Sequence, residues 1–156
     1  MKLRFMLVED NLMFRKALRL NLEMYPDFEV VAEADTGRAA LSALMSCGVD
    51  LVCIDVNLPD LNGEVLTGQI LAQQPGIKII ALSAQTNFSV IEKMIHAGAQ
   101  GYVDKINAGR DLYMAIETVC RDQIYLGPDV KPHDAADLIA AAMTKRRLVC
   151  AGALSD

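Results

Sequence analysis

Apolar positions in this chain fall into short continuous runs, separated by stretches in which they recur at helical spacing. The first run, Leu3–Val8, is followed at once by Glu9 and Asp10. Asn11 stands where a side-chain oxygen can cap a helix, and Phe14, Leu18, Leu22 and Tyr25 follow at helical spacing until Pro26. Glu29–Ala34 is a second, shorter strand. Thr36-Gly37 opens a helix through Ala40, Leu41, Leu44 and Met45, which Gly48 is expected to close. Leu51–Asp55 is a third strand, in which Leu51, Val52, Cys53 and Ile54 run straight into a single acid. Pro59, Asn62 and Gly63 mark a turn, and the helix Glu64–Gln74 follows with Val65, Ile70 and Leu71 as its apolar positions. Ile77–Leu82 is a fourth strand that ends on Ser83. Asn87 caps a helix carrying Ile91, Met94 and Ile95, closed by Gly98. A short fifth strand, Gly101–Asp104, runs into Lys105, and a fifth helix spans Asp111–Arg121 with Leu112, Ala115, Ile116 and Val119 facing inward.

Unbroken apolar strands are what a parallel sheet covered on both faces requires. Strands alternating with helices in this way imply right-handed crossovers and a doubly wound α/β fold. The rhythm fills residues 1–122. We place a single domain at residues 1–125 and a linker with a C-terminal helical extension at 126–156. In the extension, Pro132, His133 and Asp134 begin a helix through Ala135, Leu138, Ile139, Ala142 and Met143. Lys145, Arg146 and Arg147 fall at its expected end, where cations suit the helix dipole.

The bulk properties narrow the picture further. The 156 residues suffice for one domain with a sizeable core, and 53% of them are apolar with a net charge of −5. That balance excludes disorder and a general nucleic-acid-binding surface. The opening MKLRFMLVED is too charged for a signal peptide, and no apolar run approaches the roughly 20 residues of a membrane span. A soluble, cytoplasmic protein is expected. Cys47, Cys53, Cys120 and Cys150 are widely spaced and form no CxxC pair, so neither zinc nor a disulfide is called for. Cys53 and Cys120 read as small core hydrophobes.

The strand ends carry the chemistry: Glu9 and Asp10 after the first, Asp55 after the third, Ser83 after the fourth and Lys105 after the fifth. Open α/β sheets bind ligands in the crevice outside these ends. Three carboxylates there repel one another, each close pair by about 4 kcal/mol at 4 Å and an effective dielectric near 20. An all-oxygen set without His or Cys favours Mg²⁺ over zinc. A carboxylate nucleophile at Asp55, a hard cation, the Lys105 ammonium and the Ser83 hydroxyl together suit phosphoryl transfer.

LVED at 7–10, LVCIDVNLPDLNG at 51–63, IIALSA at 79–84 and HAGAQGYVDK at 96–105 resemble the receiver domain of two-component response regulators. The likeness covers about residues 3–130. GRDLYMAIETVCRDQIYLGPDV resembles the NarL/FixJ branch, which usually carries a LuxR-type helix-turn-helix domain. The resemblance implies a flavodoxin-like sheet of order 2-1-3-4-5. It also implies Asp55 as phosphoacceptor and an Mg²⁺ pocket of Glu9, Asp10, Asp55 and the Asn57 backbone carbonyl. Lys105 would contact the phosphate, Ser83 would be the switch hydroxyl and Tyr102 the switch aromatic. Glu9 stands where Asp is commoner. Ile106 follows Lys105 in place of the frequent Pro, so no cis peptide is expected there.

The implied partners are a sensor histidine kinase and, on phosphorylation, a second copy of the chain, with transcription controlled through a separate or missing output domain. LVCAGALSD at 148–156 faintly resembles the turn region of a LuxR-type domain but is too short to fold as one. Direct DNA binding by this chain is therefore not expected, and neither is membrane association. Two other readings share the fold. A phosphatase with an aspartyl intermediate would want an acid two residues after its nucleophile, where this chain has Asn57. A non-phosphorylated scaffold would have little reason to keep the acid, lysine and hydroxyl together. The chain is thus expected to be a signalling module and not an enzyme.

Overall fold

The computed structural model describes residues 1–85, 87–128 and 130–155, with side chains described as far as Lys145. Its strands are β1 (Leu3–Val8), β2 (Phe28–Ala34), β3 (Leu51–Asp55), β4 (Lys78–Ser83) and β5 (Gly101–Asp104), all parallel, in the order β2-β1-β3-β4-β5. Between and after them run the helices α1 (Leu12–Glu23), α2 (Gly37–Ser46), α3 (Gly63–Gln73), α4 (Phe88–Ala97), α5 (Ala108–Cys120) and α6 (Pro132–Ser155). This is the doubly wound fold expected from the alternation of strands and helices, in the order that the resemblance implies.

The unbroken apolar runs divide between two cores by the two-residue period of a strand. Val52 and Ile54 join Met6, Val8, Ile79 and Ala81 beneath α2, α3 and α4. Leu51 and Cys53 join Phe5, Leu7, Ile80 and Leu82 beneath α1 and α5. Each buried Leu or Ile contributes about 1.5–3 kcal/mol. Because every β3 position is buried, the strand that carries Asp55 is held rigidly in the middle of the sheet.

Caps fix where the helices begin. The side chains of Asn11, Thr36, Asn62 and Asn87 accept the backbone N–H groups of Phe14, Ala39, Val65 and Val90. Gly98 ends α4 in the left-handed region at φ 118°, as its sequence position suggested.

Several expectations need correction. Gly48 does not close α2, because the chain leaves the helix at Cys47 in extended conformation. Val65 is exposed, and Leu66 and Thr67 take the inward face of α3. The fifth helix begins at Ala108, ahead of the expected Asp111. The Asp104 carboxylate accepts the Ile106 N–H at 3.0 Å and starts a 3₁₀ turn, Lys105–Asn107, that leads directly into α5. Cys120 is exposed at the end of α5 and is no core residue, although Cys53 is fully buried. The last helix runs on to Ser155, so Lys145 does not stand at a helix end. The side chains of Arg146, Arg147 and Cys150 lie outside the described residues. No described peptide bond is cis.

Candidate functional site

Parallel packing brings the carboxyl ends of β1, β3, β4 and β5 to one edge of the sheet. Asp55, the last residue of β3, is only 4% exposed. Its Oδ1 accepts the Asn57 N–H at 3.1 Å, and its Oδ2 lies 3.1 Å from Lys105 Nζ. Lys105 also donates to Glu9 Oε1, and its ammonium sits 4.9 Å from the centre of the Phe14 ring. Glu9 is fully buried, with Oε2 accepting the Asn11 N–H at 3.3 Å and its carbonyl accepting from Arg15 at 2.6 Å. Asp10 is exposed at the mouth.

These contacts set the electrostatics. Burial, reinforced by Asp55, pushes the Glu9 carboxyl up to about 7, with Lys105 pulling against the shift. Burial alone would depress the Lys105 ammonium. Glu9 and Asp55 outweigh that effect and hold its pKa above the ordinary lysine value. One ammonium thus faces more negative charge than it can neutralise.

One oxygen each from Glu9, Asp10 and Asp55 lies within 4.8 Å of the others. Oxygen-only donors, a negative surplus and a solvent-facing carboxylate fit a hard divalent cation such as Mg²⁺.

The loop after β3 is secured from several directions. The Gly63 N–H donates to the Val56 carbonyl at 2.7 Å. A Cβ at Gly63 would stand 2.9 Å from Val56 Cα and 3.0 Å from the Asp55 carbonyl oxygen, so glycine is required by close approach. Asn57 and Asn62 form an isolated bridge. Asp60 reaches across to the start of α2, accepting the N–H groups of Gly37 at 2.8 Å and Arg38 at 3.0 Å. Those bonds, the one from Gly37 first, hold its carboxyl below the usual carboxylate range.

Ser83 is fully buried at the end of β4, and its hydroxyl oxygen accepts the Gln85 N–H at 2.9 Å. The Gln85 carbonyl in turn accepts the Tyr102 hydroxyl, which places the Tyr102 ring inside the protein. Burial raises the Tyr102 phenol, while the neighbouring Ser83 hydroxyl pulls the other way.

The structure therefore brings Glu9, Asp10, Asp55, Asn57, Ser83 and Lys105 to one edge, with Tyr102 joined to Ser83 through Gln85. Asp60, Arg15 and Gln85 were missed. Asp60 looked like one more polar residue in the turn PDLNG, and its capping role depends on a helix 22 residues earlier. Arg15 reads as a solvated position of α1. Gln85 takes part through its backbone, which leaves no signature in the side chain.

Comparison with known proteins agrees with this geometry. The family described as "Response regulator receiver domain" matches residues 5–117. The transcriptional regulatory protein UhpA of Salmonella typhimurium (strain LT2) is 34% identical over 125 residues, which cover 80% of this chain and 62% of UhpA. DegU of Brevibacillus brevis is 29% identical over 129 residues, covering 83% of this chain and 55% of DegU. The chain thus spans little more than half the length of these relatives. Among solved structures, a LuxR-family two-component response regulator from Aurantimonas sp. SI85-9A1 superposes with a TM-score of 0.79 at 28% identity. That match covers 95% of this chain and 99% of the other.

Proposed function

Because the chain belongs to the response regulator receiver family, we propose that it takes a phosphoryl group onto Asp55 from a phosphohistidine of a sensor kinase. The observation that carries this reading is the half-neutralised Asp55. One of its oxygens is tied to Lys105 and the other to a backbone N–H, at the buried end of a central strand.

In the transfer, an Asp55 carboxylate oxygen attacks phosphorus as the phosphorus–nitrogen bond of the phosphohistidine breaks. A phosphorus–oxygen bond forms, and the departing imidazole nitrogen keeps the bonding pair and takes a proton from solvent. Lys105 balances charge on one phosphoryl oxygen, and the Ser83 hydroxyl donates to another. Glu9, Asp10, Asp55 and the Asn57 backbone carbonyl would hold Mg²⁺, which when bound supplies the positive charge that this many carboxylates and a phosphoryl group demand.

The acyl phosphate is the signal, so the chain is an acceptor and not a turnover enzyme. Phosphorylation adds roughly 1.5–2 negative charges beside Ser83. Drawing Ser83 toward that charge disturbs its bond with Gln85, and so the carbonyl on which Tyr102 rests. The reading includes self-association on phosphorylation and control of transcription through an output domain, in a cytoplasmic setting. No helix among the described residues is long and apolar enough to cross a membrane.

The test is incubation with acetyl phosphate and Mg²⁺, followed by intact mass. The wild type should gain one phosphoryl group and Asp55→Asn none. Equal labelling of both would overturn the assignment.

A further inference from the structure

The turn after β3 folds back on itself before α3 begins. The Val56 N–H donates to the Leu82 carbonyl at 3.0 Å, the Val56 carbonyl accepts the Gly63 N–H, and Asn57 bridges Asn62 in antiparallel sense. Leu58, Pro59, Asp60 and Leu61 form the tip of this small hairpin. Leu58 and Leu61 are partly buried against the core beneath α2, α3 and α4. Asp60 is exposed, and its side chain reaches from the tip into another crossover. One of its oxygens accepts the Gly37 N–H at 2.8 Å and the other the Arg38 N–H at 3.0 Å, the first two donors of α2.

The start of α2 is shaped to receive that tip. A Cβ at Gly37 would stand 2.8 Å from Leu61 Cδ1, so the missing side chain is what lets the two segments come this close. The first turn of α2 contains no acid of its own, although a carboxylate there complements the helix dipole. Asp60 supplies one from 22 residues beyond Arg38. The third donor, the Ala39 N–H, goes to the Thr36 hydroxyl oxygen at 3.1 Å. Thr36 and Asp60 therefore both cap α2, but only Asp60 also ties the helix to the hairpin that contains Asn57. Its grip is two-pointed, which restrains the direction of the tip as well as its distance.

We propose that Asp60 is a positioning residue for the metal pocket: by fastening the hairpin tip to α2, it holds the Asn57 carbonyl in place for Mg²⁺. The proposal rests on the reading of Glu9, Asp10, Asp55 and Asn57 as that pocket. Among these groups Asn57 alone contributes through its backbone. A carboxylate can be re-aimed by rotating its side chain, whereas a carbonyl points where its peptide points. The aim of the Asn57 carbonyl is therefore the aim of the hairpin. Once the tip is released, the peptide has to be ordered when the ion binds, and the affinity falls by that cost.

The test is isothermal titration calorimetry of Mg²⁺ into the full chain and three variants. Asp60→Ala should raise the dissociation constant about tenfold. Thr36→Ala removes the other cap of the same helix and should leave the constant within about twofold of wild type. An equal loss in both variants would make Asp60 an ordinary helix cap and overturn the proposal, as would an unchanged constant in Asp60→Ala. Asp60→Asn removes the charge but keeps an oxygen that can accept the Gly37 N–H, so it should recover most of the lost affinity. A constant as weak as that of Asp60→Ala would mean that the carboxylate acts through its charge, and would refute positioning. No Mg²⁺ uptake by the wild type would instead overturn the metal pocket, and the proposal with it.

Discussion

Lys105 Nζ lies 3.1 Å from Asp55 Oδ2 and also donates to Glu9, so one ammonium joins the end of β3 to the end of β1. It links two carboxylates that would otherwise repel each other in a nearly water-free setting. Removing one member of such a group costs more than the group contributes, because unmatched charge is left behind.

Lys105→Met is therefore expected to lower the stability of metal-free protein by about 1–3 kcal/mol at pH 8, and by clearly less at pH 5, where Glu9 can take a proton. Urea unfolding at the two pH values, with chelator present, measures this. Labelling by acetyl phosphate should be slowed in the same variant.

Glu9 sets the pH dependence of the metal-free state. Its carboxyl sits at about 7 in the fold, above its ordinary 4.5, so the folded protein binds its proton more tightly than the unfolded chain does. The associated stability is complete below pH 4.5 and is lost as pH rises through 7, a loss on the order of 1–3 kcal/mol. Glu9→Gln should remove this slope and raise the metal-free midpoint at pH 8. Mg²⁺ should stabilise the wild type at pH 8 more than Glu9→Gln, measured by thermal melts with and without the ion.

Two glycines of α3 separate packing from propensity. Gly63→Ala forces a methyl against Val56 and the Asp55 carbonyl, with an expected cost of about 1–3 kcal/mol and slower phosphorylation. Gly68→Ala meets nothing within 4 Å and should stabilise by about 0.5–1 kcal/mol, leaving phosphorylation unchanged. Denaturant melts and labelling time courses on both variants check the pair.

Thiol accessibility offers a probe of the sheet. Burial pushes the Cys53 thiol up to about 12, whereas Cys120 is exposed. An alkylating reagent at pH 8 should modify Cys120 in the native protein and reach Cys53 only on unfolding, as read by peptide mass spectrometry.

The strands were legible because burial on both faces writes itself as unbroken apolar runs, Leu51–Ile54 above all, whereas their order across the sheet came from the family resemblance. The gathering of acids, hydroxyl and lysine at one sheet edge was legible because each stands at the first polar position after such a run or at the one that follows it. Helix starts written in side-chain oxygens, as at Asn11, Thr36 and Asn87, could be read as well, while the cap from Asn62 lay hidden in what read as a turn. What escaped depends on partners distant in sequence or on the backbone. Asp60 caps a helix in another crossover, and the start of α5 moved to Ala108 because Asp104 bonds its own downstream N–H. Cys120 sits at the last position of α5, past the end of its inward stripe, where spacing no longer tells which side is covered.

The contact between Tyr125 and β5 has a bearing on what the sheet can join. An outermost strand offers unpaired N–H and carbonyl groups to any extended chain nearby. On the β5 side the chain fills part of that row itself, since the Tyr125 N–H donates to the Gln100 carbonyl and the Tyr102 N–H to the Tyr125 carbonyl. On the opposite side β2 carries exposed Glu29 and Glu33, and Glu33 is held by Arg15 and Arg19. One margin of the sheet is thus closed in part by its own backbone and the other screened by charge, which discourages growth of the sheet by strand addition at either margin.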